Sequence, residues 1–182
     1  VNENPAGEVY IGNIENGEII KKFSTSTNSP IVSPVGVLYE GVLGNIASFF
    51  AGDVSGKIFR FDVSDTNKAN WNYHTVFDLE SNVGISYSMD ATRLLGRLWL
   101  FAGTGDLEGY LGNESANHFF VAADIAGLTS GSTPLKVSDL KKLNPEKADD
   151  ALPADTTKSG WYIPFKTGEK MSAPPLVYKG YV

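Results

Sequence analysis

The chain has 182 residues, 42% of them apolar and 20% charged, and carries a formal net charge of −6. This length suits one ordinary domain or a piece of a larger one, and suffices to bury a core. The acidic balance leaves no basic footprint for nucleic acid or anionic lipid, and with no cysteine disulfides, thiolate nucleophiles and cysteine-ligated zinc are excluded.

In chain order, nearly every segment has the strand signature of short β-branched and aromatic runs between Gly, Asn, Asp and Pro. EVYIGNIENGEIIKKF carries Asn16-Gly17 between apolar stretches, a pair that tolerates positive φ and predicts a hairpin. PVGVLYEG (34–41) is a third strand, and SFFAGD and KIFRFDV are expected to pair around Ser55-Gly56. YHTVFDL, ISYSMDAT, GRLWLFAG and NHFFVAAD continue the pattern, with a turn at Arg93–Gly96. Helical periodicity is scarce. KVSDLKKL (136–143) has apolar residues at 137, 140 and 143, an i, i+3 spacing that fits a short helix or a decorated loop. Residues 144–160 are polar, contain proline and lack a period, so they read as an exposed connection. No run reaches the roughly 18 apolar residues of a membrane helix. No signal segment follows Val1; APPLVYKGYV halts just after a Lys-Gly turn, and the chain is expected to be an excised part of a longer protein.

Gly12, Gly52 and Gly103 each close an apolar strand, at spacings of 40 and 51 residues. VLYEG (37–41) and LVYKG (176–180) match 139 residues apart, about three units of about 46. Units of 40–50 residues made of short antiparallel strands predict β-propeller blades, whereas a sandwich would not give this recurrence. The expected fold is therefore all-β, a propeller-like arc with an open edge. Residues 1–182 would form part of one propeller domain of about four blades, with 136–160 a loop or short-helix insertion.

The segment FAGDVSGKIFRFDVSD resembles the blade signature of the C-terminal propeller of type IV pilus tip and assembly proteins, the neisserial PilC/PilY-type family. Ala51, Gly52, Asp53, Gly56, Arg60, Phe61 and Asp62 match its AGDxxGxxWRFD pattern, with Phe59 where Trp is common. NIENGEIIKKFST, LWLFAGTGDLEGYLGNESANHFFVAADIAG and SGWYIPFKTGEKMSAPPLVYKGYV resemble further family stretches in the same order. In these residues the physical reading is structural. Gly52 and Gly56 suit a tight turn; Ile58, Phe59 and Phe61 supply blade packing; Asp53 and Asp62 accept backbone N–H bonds, with Arg60 paired to either.

Many family members place an acidic calcium loop just upstream, DxDGDGxxD. The corresponding positions here hold Tyr39, Glu40, Gly41, Val42, Leu43, Gly44, Asn45, Ile46 and Ala47. Only Glu40 and Asn45 offer oxygen donors, too few for a six- to eight-coordinate ion. Thus no metal and no cofactor are expected in this fragment, and any calcium in a full-length protein is expected elsewhere.

Other constellations read as structural. His74 and His118 lie 44 residues apart without a partner at metal-ligand spacing. GTGDLEGYLG lacks the Lys-Ser/Thr and the helix of a phosphate loop. Asp65, Asn67 and Asn70 form a solvated turn, without the Gly and Glu of an EF-hand loop. Asp106 and Glu108 are a close carboxylate pair, the only feature in the direction of a glycosidase. Trp71, Trp99 and Trp161 are expected to fill gaps between blades.

By resemblance, the chain is expected to be a non-enzymatic component of a pilus tip or assembly protein, acting in extension and retraction control and in adhesion. Its partners would be pilin or minor pilins and a host-cell or surface ligand, with binding carried by loops 104–118 and 144–160. It would be exported to the cell surface, the outer membrane or the pilus tip, with no nucleic acid bound and no membrane insertion by this segment. The alternatives are a quinoprotein-like dehydrogenase propeller and an extracellular glycan- or peptide-binding propeller.

Overall fold

A computed structural model describes residues 7–25, 29–40, 45–80, 83–105, 118–147, 151, 157–179 and 181–182. The strands in chain order are β1 (Glu8–Gly12), β2 (Ile19–Ser24), β3 (Gly36–Glu40), β4 (Asn45–Gly52), β5 (Lys57–Asp62), β6 (Asn72–Asp78), β7 (Asp90–Leu94), β8 (Arg97–Gly103), β9 (Phe119–Asp124), β10 (Lys141–Lys142) and β11 (Gly160–Pro164). They form a β1–β2 hairpin, a first sheet ordered β3-β4-β5-β6, and a second sheet ordered β10-β11-β9-β8-β7. Pairing is antiparallel throughout, apart from β10 with β11. Among the described residues there is no α-helix, and no sheet closes on itself. The fold is all-β, an open propeller-like arc.

Turn chemistry explains the local order. Asp53 begins the β4–β5 turn and Gly56 completes it at φ +85°, the left-handed position that a three-residue hairpin loop needs. The β7–β8 turn has two residues, Leu95 at φ +52° and Gly96 at φ +76°, a mirror-image turn that glycine tolerates and leucine resists. The β1–β2 loop is longer than an Asn-Gly pair alone suggests. Asn13 N–H donates to Glu18 and Gly17 N–H to Asn13, so four residues turn the chain and only Gly17 takes positive φ.

Two more expectations are refined. ISYSMDAT is not one strand: Ile85 makes an isolated bridge to Gly105, and regular pairing starts at Asp90. The stretch 85–89 is instead the link that carries the chain from one sheet to the next. In KVSDLKKL the i, i+3 apolar spacing yields a single 3-10 turn, Val137–Asp139, and then β10. Three residues per turn fit that spacing as well as an α-helix does.

The layers stack in order. Phe49, Ala51, Phe59 and Phe61 on one face of the first sheet pack against Phe23, Val9 and Ile11 of the hairpin. Phe49 and Phe61 stack with ring centroids 4.6 Å apart, and Phe23 meets Phe61 edge-on at 5.2 Å. The other face presents Leu38, Phe50, Ile58 and Val76 to Leu98, Leu100, Ala102, Val121 and Ala123 of the second sheet. The first sheet is thus apolar on both faces, and period-2 alternation sends neighbouring residues into different cores.

The links repeat one geometry. Gly52 and Gly103 both end the second strand of their sheets. A Cβ on Gly52 would lie 2.5 Å from Ile85 Cβ, and one on Gly103 2.6 Å from Met171 Cγ. Ile85 N–H donates to the Asp53 carbonyl and Met171 N–H to the Thr104 carbonyl, each at 3.1 Å. The segment from Met171 therefore stands to the second sheet as the segment from Ile85 stands to the first.

Candidate binding face

The blade-motif residues organise a turn and a joint. Asp53 is fully buried, and its Oδ1 accepts from Ser55 N–H, Lys57 N–H and Ser55 Oγ at 2.8–2.9 Å. Its Oδ2 has no hydrogen-bond partner. Asp62 Oδ1 accepts from Ser64 N–H at 3.1 Å. Arg60 Nε donates to Ser48 Oγ at 3.1 Å, and its guanidinium lies 3.7 Å from the Asp62 carboxylate. Phe61 sits in the hairpin-side core.

Of the degenerate calcium positions, Tyr39 is exposed and Ala47 buried; β3 and β4 pair Tyr39 with Ile46 and Glu40 with Asn45. Gly41 and Leu43 lie outside the described residues, as do Asp106 and Glu108 and most of loops 104–118 and 144–160. Among the described residues no group of three or more His, Asp or Glu is placed to hold a metal ion. His118 Nδ1 lies 3.2 Å from Thr104 Oγ1 in a buried setting. Asp65 accepts from Asn70 Nδ2 and from Asn67 N–H, each at 2.7 Å, and these two bonds lower its pKa.

A different site emerges on the far face of the second sheet. In register there, Thr92 pairs with Trp99, and Trp161 faces Ala122, which faces Phe101. These side chains point away from the inter-sheet core that takes Leu98, Leu100 and Ala102. Thr92, Trp99, Phe101 and Trp161, with Leu94, Arg97, Val177 and Tyr181, line a cavity of about 550 Å³, within the range of small-ligand pockets. Trp99 stacks on Phe101 at 6.5 Å, and Phe120 tilts against Trp161 at 5.7 Å. The Arg97 guanidinium lies 5.9 Å over the Trp99 ring and 3.7 Å from the Asp124 carboxylate. One wall is the terminal segment, held where Val177 N–H donates to Asp90 Oδ2 at 2.7 Å. Leu95, Leu176, Tyr178 and Tyr181 around it are 93%, 76%, 66% and 80% exposed.

Trp99 and Trp161 are expected in gaps between blades; the second sheet forms one side of that gap, and among the described residues no further sheet lies on the other. A signal for this was available in RLWLFAG. Its residues are apolar on both strand faces, which predicts a strand covered from two sides.

The class of fold is thus a stack of small antiparallel sheets joined by repeated links, the arrangement of a propeller arc. Among solved structures, the chain is similar to the C-terminal domain of Pseudomonas aeruginosa PilY1, with a TM-score of 0.59 at 18% sequence identity. The match covers 91% of this chain and 46% of that one, so the chain spans just under half the length of that domain. No protein-family model and no curated protein sequence matches the chain.

Proposed function

We propose that this chain is a non-enzymatic part of a type IV pilus tip or assembly protein, exported to the cell surface, where its propeller-like arc serves as a docking scaffold in pilus biogenesis. The observation that carries the reading is that AGDVSGKIFRFD occupies the β4–β5 hairpin of a fold similar to the PilY1 domain across nearly the whole chain. The roles in control of extension and retraction and in adhesion belong to this proposal, with pilin or minor pilins as partners. The motif residues hold a turn and a joint, so activity would reside in presented surfaces rather than in reactive groups. The test is binding of immobilised chain to purified pilin and minor pilins, with Trp99→Ser/Trp161→Ser as a second sample. Saturable binding of one pilin subunit supports the proposal, and binding to none of them refutes it.

A second reading is favoured by one observation. Trp99, Phe101, Trp161 and Tyr181 line a single groove, and aromatic platforms of this kind also take apolar sugar faces and peptides. Glycan binding that is lost in the same double variant, with no pilin binding, would establish it instead.

A further inference from the structure

His74 on β6 stands directly opposite Arg60 on β5, on the face of the first sheet that meets the second. Both of its ring nitrogens are shielded from solvent and neither makes a hydrogen bond of ordinary geometry, although the Leu128 backbone lies close enough to interact with the ring. The segment following β9 crosses over this position as a strap. At one end Ile125 N–H donates to Leu98 of the second sheet at 2.8 Å; at the other, Leu135 N–H donates to Val76 at 3.0 Å and Asp78 N–H to Leu135 at 2.8 Å. The strap thus adds an outer rung to β6 and ties the two sheets together. Leu128, near the ring, packs on the inter-sheet core.

The charged groups around the ring are few. β5 contributes Arg60 and Asp62, which face each other at 3.7 Å. Residues 125–135, IAGLTSGSTPL, contain no ionisable side chain. The flanking charges are engaged elsewhere, Asp124 with Arg97 and Lys136 with Glu80, and Asp78 on β6 itself lies 3.9 Å from Lys57. A proton on the imidazole would therefore meet Arg60 and a lid without ionisable groups. Only Asp62, already shared with Arg60, and the Leu128 backbone offset it, and a charge so weakly compensated is disfavoured in a buried place.

We propose that His74 is an acid-responsive latch: neutral, the ring lies under the 125–135 strap and lets it close the joint between the sheets; protonated, the ring swings out and the strap lifts from β6. Burial foremost, and Arg60 next, lower the pKa of His74, with Asp62 and the Leu128 backbone opposing. The neutral form is thus the one the closed joint selects. Imidazole is the side chain whose charge changes between pH 5 and 8.

The test is amide hydrogen exchange of the whole chain at pH 7.5 and 5.0, corrected for intrinsic rates, with the ring of His74 titrated by NMR. Protection at Leu135 and Asp78 is expected to fall about tenfold for each unit by which His74 titrates below its ordinary value, while Phe49 and Phe59 in the hairpin-side core stay protected. In His74→Gln and His74→Phe the strap amides should show no such fall. The proposal is overturned if strap protection is lost equally in these variants, or if it survives in wild type after the ring is protonated. Should neither variant fold, the wild-type titration decides: strap opening must track protonation of His74, and a midpoint that follows His118 instead refutes the latch.

Discussion

Phe50 gives the sharpest test of the stacked-sheet architecture. It is fully buried, on the face of β4 that meets Leu98, Leu100 and Val121 of the second sheet. Phe50→Ala removes a ring from between two sheets that cannot close up without breaking the links at Ile85 and Ile125. Truncations of this kind cost about 3–5 kcal/mol, the lost transfer energy plus a cavity. Against a total of about 5–15 kcal/mol for an ordinary domain, this is a large fraction. With about 2–4 °C of midpoint per kcal/mol at this chain length, the thermal transition should drop by about 6–20 °C. Urea unfolding followed by tryptophan fluorescence gives the free energy, with the slope expected to be unchanged. The control is Ile14→Ala in the hairpin loop, where the side chain is fully exposed and the change should stay within about 0.5 kcal/mol. A loss below about 1 kcal/mol for Phe50→Ala would mean that the two sheets do not pack face to face in solution.

Three further outcomes are expected. Leu95→Asn, at a left-handed turn position with a 93% exposed side chain, should stabilise the chain by about 0.5–1 kcal/mol, and an unchanged or lower thermal midpoint contradicts the turn assignment. Asp53→Ala removes the acceptor of two backbone N–H groups in the β4–β5 turn and should cost about 1–3 kcal/mol in urea unfolding; no loss would show that the motif aspartate does not hold the turn. Because the folded-state pKa of His74 is lowered from 6.5, the unfolded chain binds the extra proton first. Its contribution is therefore fully present above pH 6.5 and is lost as pH falls through that value toward the folded pKa. Denaturant midpoints measured from pH 7.5 to 5 should fall in wild type and fall less in His74→Gln.

How far the fold was legible depended on whether a signal was local. The β4–β5 and β7–β8 hairpins could be read from Ser55-Gly56 and Arg93–Gly96, because turn chemistry acts within four residues. The Gly52–Gly103 recurrence likewise had a local cause, since both glycines let a link residue press onto a strand end. Gly12 shares the pattern but only ends the first strand of the hairpin. The stretch 85–89 misled because a link that packs apolar residues against a strand end has strand-like composition without a ladder partner. The aromatic face of the second sheet was hardest to see. Trp99 and Phe101 are the same residues whether a further layer covers them or not, and only the three-dimensional stack shows that no other sheet among the described residues lies on them. His74 lay equally beyond reach, since its setting is made by Arg60 and by a strap more than 50 residues away.

The proposed role is tested most directly by counting surface pili in the bacterium that encodes the chain. The count would be made by electron microscopy after deletion of the gene and after its return as wild type or as Trp99→Ser/Trp161→Ser. The deletion strain should carry few or no pili, wild type should restore them, and the double variant should fail to do so at equal protein level. Normal piliation in the deletion strain would contradict it.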